Sequence, residues 1–262
     1  MMFLNQFWAP RKLYNPCGMF TEGHMILLFL SIALLCILLY TSKNLSTHKI
    51  KRLTKILAIG ISILELIKIG FNFHRGYTWI NAWFPISYCS IFIYSLWLSG
   101  YGKDKWREMG DIFLGGVSII AGAAFLLFPS TSITLYPVWH YLCLYSMLFH
   151  TLMVYMGIMY LSKMEIKFNK NTFKRYLKYY LFFALIAIVL NNNYGSNLML
   201  LREPASIPVP ALKTLYEAAP WGYTLLVFIV YLFVPYGITA YISKFKKSEE
   251  ANDEFNTITI GK

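Results

Sequence analysis

The sequence predicts an all-α, polytopic membrane protein with seven transmembrane helices, its N-terminus outside and its C-terminus in the cytoplasm. Three observations carry this. Only 14% of the 262 residues are charged and 57% are hydrophobic, whereas a soluble domain carries about 25% charged residues. The stretch 112–161 contains no Asp, Glu, Lys or Arg, and 25–42 and 218–243 are equally bare. Apolar runs of about 18 residues or more cross the ~30 Å hydrocarbon layer. Finally, the Lys and Arg residues alternate from side to side between the runs. A soluble enzyme and a DNA-binding protein are excluded.

In chain order, residues 1–23 form an outer interfacial segment carrying Trp8, Tyr14 and Phe20. Pro10, Arg11 and Pro16 break it before any apolar core of a cleavable signal peptide can form, so the first span is expected to start insertion itself. The membrane domain covers 24–243, with spans at about 25–42, 55–73, 82–101, 112–129, 137–161, 176–193 and 220–243. Span one has no charged or amide residue between Met25 and Tyr40 and is expected to face lipid or pack. Between spans five and six, Phe173, Tyr176, Tyr179 and Tyr180 suit an interfacial anchor. The longest loop, Tyr194 to Pro220, holds Pro204, Pro208 and Pro210 among apolar residues and is expected to fold back as a lid. The tail, 244–262, begins basic, turns acidic at Glu249 and Glu250, and reads as disordered. No internal repeat is found.

The net charge of +12 is a matter of topology. One side of the spans holds 18 Lys and Arg, in 43–55, 103–107, 163–178 and 244–262; the other holds Arg11, Lys12, Arg75, Arg202 and Lys213. Such asymmetry marks the cytoplasmic side, and the charge is attracted to anionic lipid rather than nucleic acid.

Ionisable groups inside a membrane are costly, so each is a functional candidate. Glu65 and Lys68 in span two stand at i and i+3 on one helix face. A buried ion pair that fixes packing and a substrate-facing role are both open. Asn72 follows at the outer end. Span three opens with Phe84-Pro85-Ile86-Ser87-Tyr88-Cys89-Ser90, span five carries His140 and His150, and span six ends in Asn191, Asn192, Asn193 and Tyr194. At 1.5 Å per residue, Cys89 lies roughly 10 Å below the outer helix end, and Glu65 and His150 lie near mid-membrane. The cytoplasmic halves offer nothing comparable, which points to a polar cavity open to the outer leaflet. It would be bounded by spans two, three, five and six, with Asn197 and Arg202 where a head group meets the loop.

Four cysteines (Cys17, Cys36, Cys89, Cys143) have no metal-like spacing, and a disulfide framework is not expected. A thiol beside an imidazole is the minimum for acyl transfer: His takes the proton, the thiolate attacks an ester carbonyl, and a thioester forms. Lys68 or the span-six amides would stabilise the oxyanion. A lone cysteine in a transmembrane helix is more often a packing residue than a nucleophile. His140 and His150 point roughly 80° apart and differ by about 15 Å in depth, so they need not share one site.

The order Glu65…Lys68, Phe84-Pro85-x-x-x-Cys89 and His150 with its apolar run to Tyr160 leads to a more specific stretch. This is Asn191…Tyr194-Gly195-Ser196-Asn197-Leu198-Met199-Leu200-Leu201-x-x-Pro204, followed by Pro220-Trp221. Together these resemble the bacterial YwaF-like integral membrane family over about 24–241, with Leu198 where that family more usually has Tyr. That family is in turn distantly similar to an animal transmembrane acyltransferase family that remodels ether phospholipids. The resemblance implies a reactive cysteine at Cys89 and a histidine partner at His150. Tyr88 and Ser90 flank Cys89 where the animal family is rich in His or acidic residues.

Two functions follow as expectations. The first is a membrane-embedded lipid acyltransferase, transacylase or ester hydrolase. Cys89 would be its nucleophile and His150 its base. Glu65, Lys68, Asn72, His140, Asn191, Asn193, Tyr194, Asn197 and Arg202 would line the substrate site. No metal or soluble cofactor is required, membrane lipids are the partners, and the location is the bacterial plasma membrane. The alternative is a non-enzymatic binding or transport component recognising a lipid head group or small polar ligand. A structural partner for a larger envelope complex is a third reading.

Overall fold

In the computed structural model, described for residues 2–204 and 209–260, helices follow one another with no strand among the described residues. They are α1 (Met2–Phe7), α2 (Glu22–Ser42), α3 (Thr47–His74), α4 (Ile80–Trp83), α5 (Ile91–Tyr101) and α6 (Asp104–Gly116). After these come α7 (Ser118–Leu127), α8 (Tyr141–Lys163), α9 (Lys170–Tyr194), α10 (Pro210–Ala218) and α11 (Pro220–Ile260). Four helices, α2, α3, α8 and the 220–245 part of α11, are long and apolar enough to cross a membrane. The pair α6–α7, bent by 43°, makes five if counted as one span.

The expectation of seven equivalent spans therefore holds only in part, and the reasons are local. Pro85 cannot donate to a helical ladder and drives the residue before it into extended backbone. Phe84 accordingly sits at φ −81, ψ 118, and the third span is split into the single turn of α4 and an eleven-residue α5. The fourth begins eight residues earlier than its charge-free run, at Asp104, and bends at Val117 after Gly115 and Gly116, a glycine pair being a common cause of a kink. The sixth, α9, opens with Lys170, Lys174, Arg175 and Lys178, which dilute its apolar run. α11 runs as a helix to Ile260, past Lys244 where the sequence suggests the tail begins.

The core is built around α8. Of its most apolar stretch 72% is buried, against 17% for α2 and 28% for α3 and α11. Those three turn Phe29, Tyr40, Leu66 and Phe233 outward instead, as lipid-facing helices do. Without a hydrophobic force between helices in lipid, close backbone approach through small residues holds the bundle. Gly110 of α6 lies against α5 so tightly that a Cβ there would stand 2.6 Å from the Ser95 carbonyl oxygen. Gly122 of α7 is pressed against α8 in the same way, 2.9 Å from the His150 carbonyl oxygen.

The bundle has two unlike ends. One is basic, with Lys51, Lys103 and Lys163 beside the α2–α3, α5–α6 and α8–α9 turns. The other is covered by loops and by the N-terminal segment. There Arg75 Nη2 donates to the Trp8 carbonyl (2.5 Å), and Cys17 and Gly18 donate to the Tyr136 and Ile133 carbonyls (2.8 and 2.7 Å). The Arg11 guanidinium lies 4.7 Å from the ring centroids of both Tyr77 and Trp79, favourable cation–π geometry. Buried His24 accepts from the Phe20 N–H and contacts the Leu126 carbonyl at 3.0 Å, tying α2 to the end of α7.

Candidate functional site

Cys89 sits in the break between α4 and α5, two residues ahead of the first helical residue, Ile91. The break is ordered by its own polar groups. Ser87 Oγ accepts from the Ser90 N–H (3.0 Å), the Tyr94 hydroxyl donates to the Pro85 carbonyl (3.2 Å), and the Cys89 carbonyl accepts from Phe92 (3.0 Å). Irregular backbone within a bundle is tolerated where protein or a cavity surrounds it. Here it packs on α11, with the Tyr88 ring stacked on Tyr231 at 4.3 Å. Cys89 as a residue is half-buried.

His150 is buried in α8. Its Nδ1 lies 2.7 Å from the carbonyl of Ser146, one turn earlier, while Nε2 has no partner. A carbonyl only accepts, so the proton is on Nδ1 and the lone pair on Nε2. Phe125 stacks on the ring at 3.5 Å. No hydrogen bond joins His150 to Cys89. The connection between them is aromatic: His150 meets Phe149 (5.1 Å), and Phe149 meets Phe92 (5.5 Å), three residues beyond Cys89.

Glu65 and Lys68 form an ion pair within α3, and Glu65 Oε2 also accepts from the Tyr145 hydroxyl at 2.7 Å. The carboxylate is buried, and the Lys68 side chain keeps 24% of its surface. Tyr141, one turn before Tyr145, donates to the Leu64 carbonyl at 2.6 Å and stacks beneath Trp8 at 4.9 Å. A file of rings on one face of α8 (Tyr141, Tyr145, Phe149) thus runs from the N-terminal segment past Glu65 to His150.

The other sequence candidates have mainly architectural partners. Asn72 donates to the Ala82 carbonyl, holding α3 to α4, and its Oδ1 is unpartnered. His140 caps α8: Nδ1 accepts from Leu142 (3.1 Å), and Nε2 meets the Ala9 carbonyl (3.1 Å), which occupies both nitrogens. Asn191 closes the turn after α9. Its Oδ1 accepts from Ser196 Oγ (2.9 Å) and the Leu198 N–H (2.7 Å), and its Nδ2 donates to the Leu198 carbonyl (3.1 Å). Asn197 Oδ1 brackets the Arg202 and Glu203 amides (3.0 and 3.2 Å), while its own N–H reaches Asn81 of α4 (2.8 Å). Asn193, Tyr194 and Arg202 are exposed. Arg202 Nη1 lies over Gly195, whose φ of +63 ends α9 in the left-handed region that favours glycine.

In the loop expected to act as a lid, Leu198, Met199 and Leu201 are themselves buried, and the Tyr223 hydroxyl donates to the Leu200 carbonyl at 2.9 Å. Met199 and Leu200 hold φ of 56 and 55, a conformation costly for side chains larger than glycine's and kept only by such anchoring. Pro208 lies outside the described residues.

One polar cluster contradicts the expectation that the basic half is bare. Lys51 Nζ donates to Asp111 Oδ1 (2.6 Å) and Ser99 Oγ (3.0 Å), and Ser99 Oγ donates to Asp111 (2.5 Å). The Tyr160 hydroxyl joins Ser99 (2.6 Å) to Thr54 (2.8 Å). It links α3, α5, α6 and α8. Lys51 reads in sequence as one more topogenic charge, and Asp111 as the residue just before an apolar run. The usable signal was an acid directly abutting that run, for which a buried cation is the natural partner.

Fold and polar interior together define a polytopic helical membrane protein whose bundle carries a thiol, a buried imidazole and an ion pair. More particularly, the TMEM164 family model matches residues 19–239, and the chain belongs to that family. No curated protein and no solved structure matches it significantly.

Proposed function

We propose that this chain is a cysteine-dependent lipid acyl-transfer enzyme, a transacylase or ester hydrolase, with Cys89 as nucleophile and His150 as general base. The observation that carries the reading is the tautomer of His150: a buried Nε2 lone pair with nothing to accept is what a base needs before substrate arrives. Catalytic hydrogen bonds are often long in the free enzyme and tighten on binding. Nε2 takes the thiol proton and Cys89 Sγ attacks the ester carbonyl carbon. The oxyanion then collapses, the C–O bond to the lysolipid breaks, and the leaving oxygen receives the proton held by His150. A second lipid hydroxyl, or water, attacks the thioester by the reverse proton route. The first-turn N–H of Ile91, which no helical carbonyl can accept, and Lys68 are the oxyanion donors. Glu65 keeps Lys68 in place.

The topology belongs to the same proposal. The bent pair α6–α7, the broken pair α4–α5 and α9 would complete seven crossings, with the basic end in the cytoplasm of a bacterial cell and the N-terminus outside. A YwaF-like bacterial membership rests on the 195–204 motif. Lipid profiles of cells carrying Cys89→Ala or His150→Ala test the chemistry. Loss of one acyl-exchanged lipid class in both is expected, and a wild-type profile in Cys89→Ala removes the nucleophile. A second reading, recognition of a head group or small polar ligand without chemistry, draws on the part-exposed Lys68 beside buried Glu65. It requires Cys89→Ser to keep function while Glu65→Gln and Lys68→Met lose it.

A further inference from the structure

Pro235 lies inside α11 and has no N–H to give the carbonyl four residues earlier, that of Tyr231. That carbonyl is not left bare. It accepts from the Tyr88 hydroxyl at 2.7 Å and from the Tyr176 hydroxyl at 2.8 Å, which fills both of its lone pairs. The two hydroxyl oxygens lie 3.1 Å apart, each with its single proton turned to the shared acceptor. The rings are fixed as well: Tyr88 stacks on Tyr231 (4.3 Å, 10°) and Tyr176 on Tyr236 (5.3 Å, 5°). Three elements converge here, the α4–α5 break, α9 and α11, and all three tyrosines are in or beside the core. Tyr88 is the residue directly before Cys89.

From this geometry we infer that Tyr88 and Tyr176 are positioning residues for Cys89: their hydroxyls clamp the carbonyl that Pro235 frees and so lock the break that carries the thiol against α11. The inference rests on the reading of Cys89 as the reacting group only for its catalytic meaning. The clamp itself is a claim about where the thiol is held. Releasing it lets the break move off α11 and opens Cys89 to reagents. Restoring an N–H at position 235 gives the carbonyl a donor of its own, and the tyrosine hydroxyls become dispensable for it.

The test is alkylation of the full chain in lipid nanodiscs by a membrane-permeant maleimide, with peptide mapping to read each cysteine. It compares wild type, Tyr88→Phe/Tyr176→Phe, Pro235→Ala and the triple variant. Loss of two hydrogen bonds to one buried carbonyl predicts Cys89 labelling faster by about tenfold in the double variant, with exposed Cys36 unchanged as the internal standard. In the Pro235→Ala background the same tyrosine changes are expected to alter Cys89 labelling by less than about twofold. Equal acceleration in both backgrounds, or none in either, overturns the clamp. Should the double variant fail to fold, the triple variant decides: its recovery of wild-type thermal stability supports the shared carbonyl, and its failure to recover refutes it. Labelling of buried Cys143 separates thiol positioning from general loosening, because a merely loosened bundle raises it as well, whereas release of the clamp leaves it at the wild-type rate. If Cys89→Ala leaves lipid profiles intact while this cycle holds, the acyl-transfer reading falls and the clamp stands.

Discussion

Replacing Asp111 by Ala is expected to destabilise the protein more than replacing its partner Lys51. Asp111 Oδ1 is the common acceptor of Lys51 Nζ and Ser99 Oγ. Removing it leaves an ammonium group held by Ser99 alone, 5.1 Å from the Tyr160 ring. Breaking a fully buried pair costs about 3–5 kcal/mol, and an exposed one contributes about 0–1 kcal/mol. The side chains here keep 22% and 20% of their surface. We therefore place Asp111→Ala at about 2–3 kcal/mol, toward the buried limit. Lys51→Met leaves the carboxylate still bonded to Ser99 and should cost about 1 kcal/mol less. The charge-free pair Lys51→Met with Asp111→Leu should return to within about 1 kcal/mol of wild type, because an apolar replacement removes both desolvation penalties at once. Thermal unfolding of the purified protein, followed by tryptophan fluorescence, measures all three. At about 2–4 °C per kcal/mol for a chain of this size, Asp111→Ala lowers the midpoint by roughly 4–12 °C. A midpoint within about 1 °C of wild type, or a double variant as unstable as Asp111→Ala, would show that the cluster is not held by its charges.

Two further substitutions probe the frame around the site. Gly110→Ala puts a methyl 2.6 Å from the Ser95 carbonyl oxygen and the Ser99 nitrogen; because backbone is the obstacle, α5 and α6 must separate, and a loss of about 3 kcal/mol with poor yield is expected. A yield and midpoint equal to wild type would mean that the two helices do not pack this closely. Asn191→Ala removes three hydrogen bonds that close the turn after α9, at about 2–3 kcal/mol. Limited proteolysis should then cut between 195 and 204, and an uncut loop would refute the assignment of Asn191 as its anchor.

The helical membrane class was legible because it follows from long averages: the charge-free runs and the alternation of Lys and Arg survive any local irregularity. The pairing of Glu65 with Lys68 was legible too, since residues three apart share one face of a helix. What escaped the sequence is set by single partners at long range. Nothing around His140 in sequence announces that Ala9, 131 residues away, takes its Nε2, so a helix cap reads as a ligand. Asn191 looks like an intramembrane amide facing a cavity, yet all three of its bonds go to residues 196 and 198. The bend after Gly115 and Gly116 and the break at Pro85 were written in the residues themselves, but hydropathy averaged them away.

Tyrosine shows why such a bundle holds in spite of these breaks. A tyrosine-rich membrane sequence suggests an interfacial belt, and some of the 20 here, such as Tyr40 and Tyr194, do turn outward. Others are interior, and their hydroxyls reach backbone carbonyls of distant elements: Tyr141 to Leu64, Tyr180 to Phe228, Tyr223 to Leu200, and Tyr88 and Tyr176 to Tyr231. Lipid offers no hydrophobic force to press one helix on another, so close contact and interhelical hydrogen bonds must do it, at about 0.6–1.7 kcal/mol per bond. A carbonyl already in a helix has a second lone pair to offer, and one opposite a proline has both. A phenol reaches it across a helix interface while its ring fills the space between. The fold can therefore carry the α4–α5 break and a proline within α11, because carbonyls at those places meet tyrosine hydroxyls: Pro85 that of Tyr94 in α5, and Tyr231 those of Tyr88 and Tyr176. Cys89 is held in one of these places, where the backbone is irregular and the surrounding polar groups are already in position.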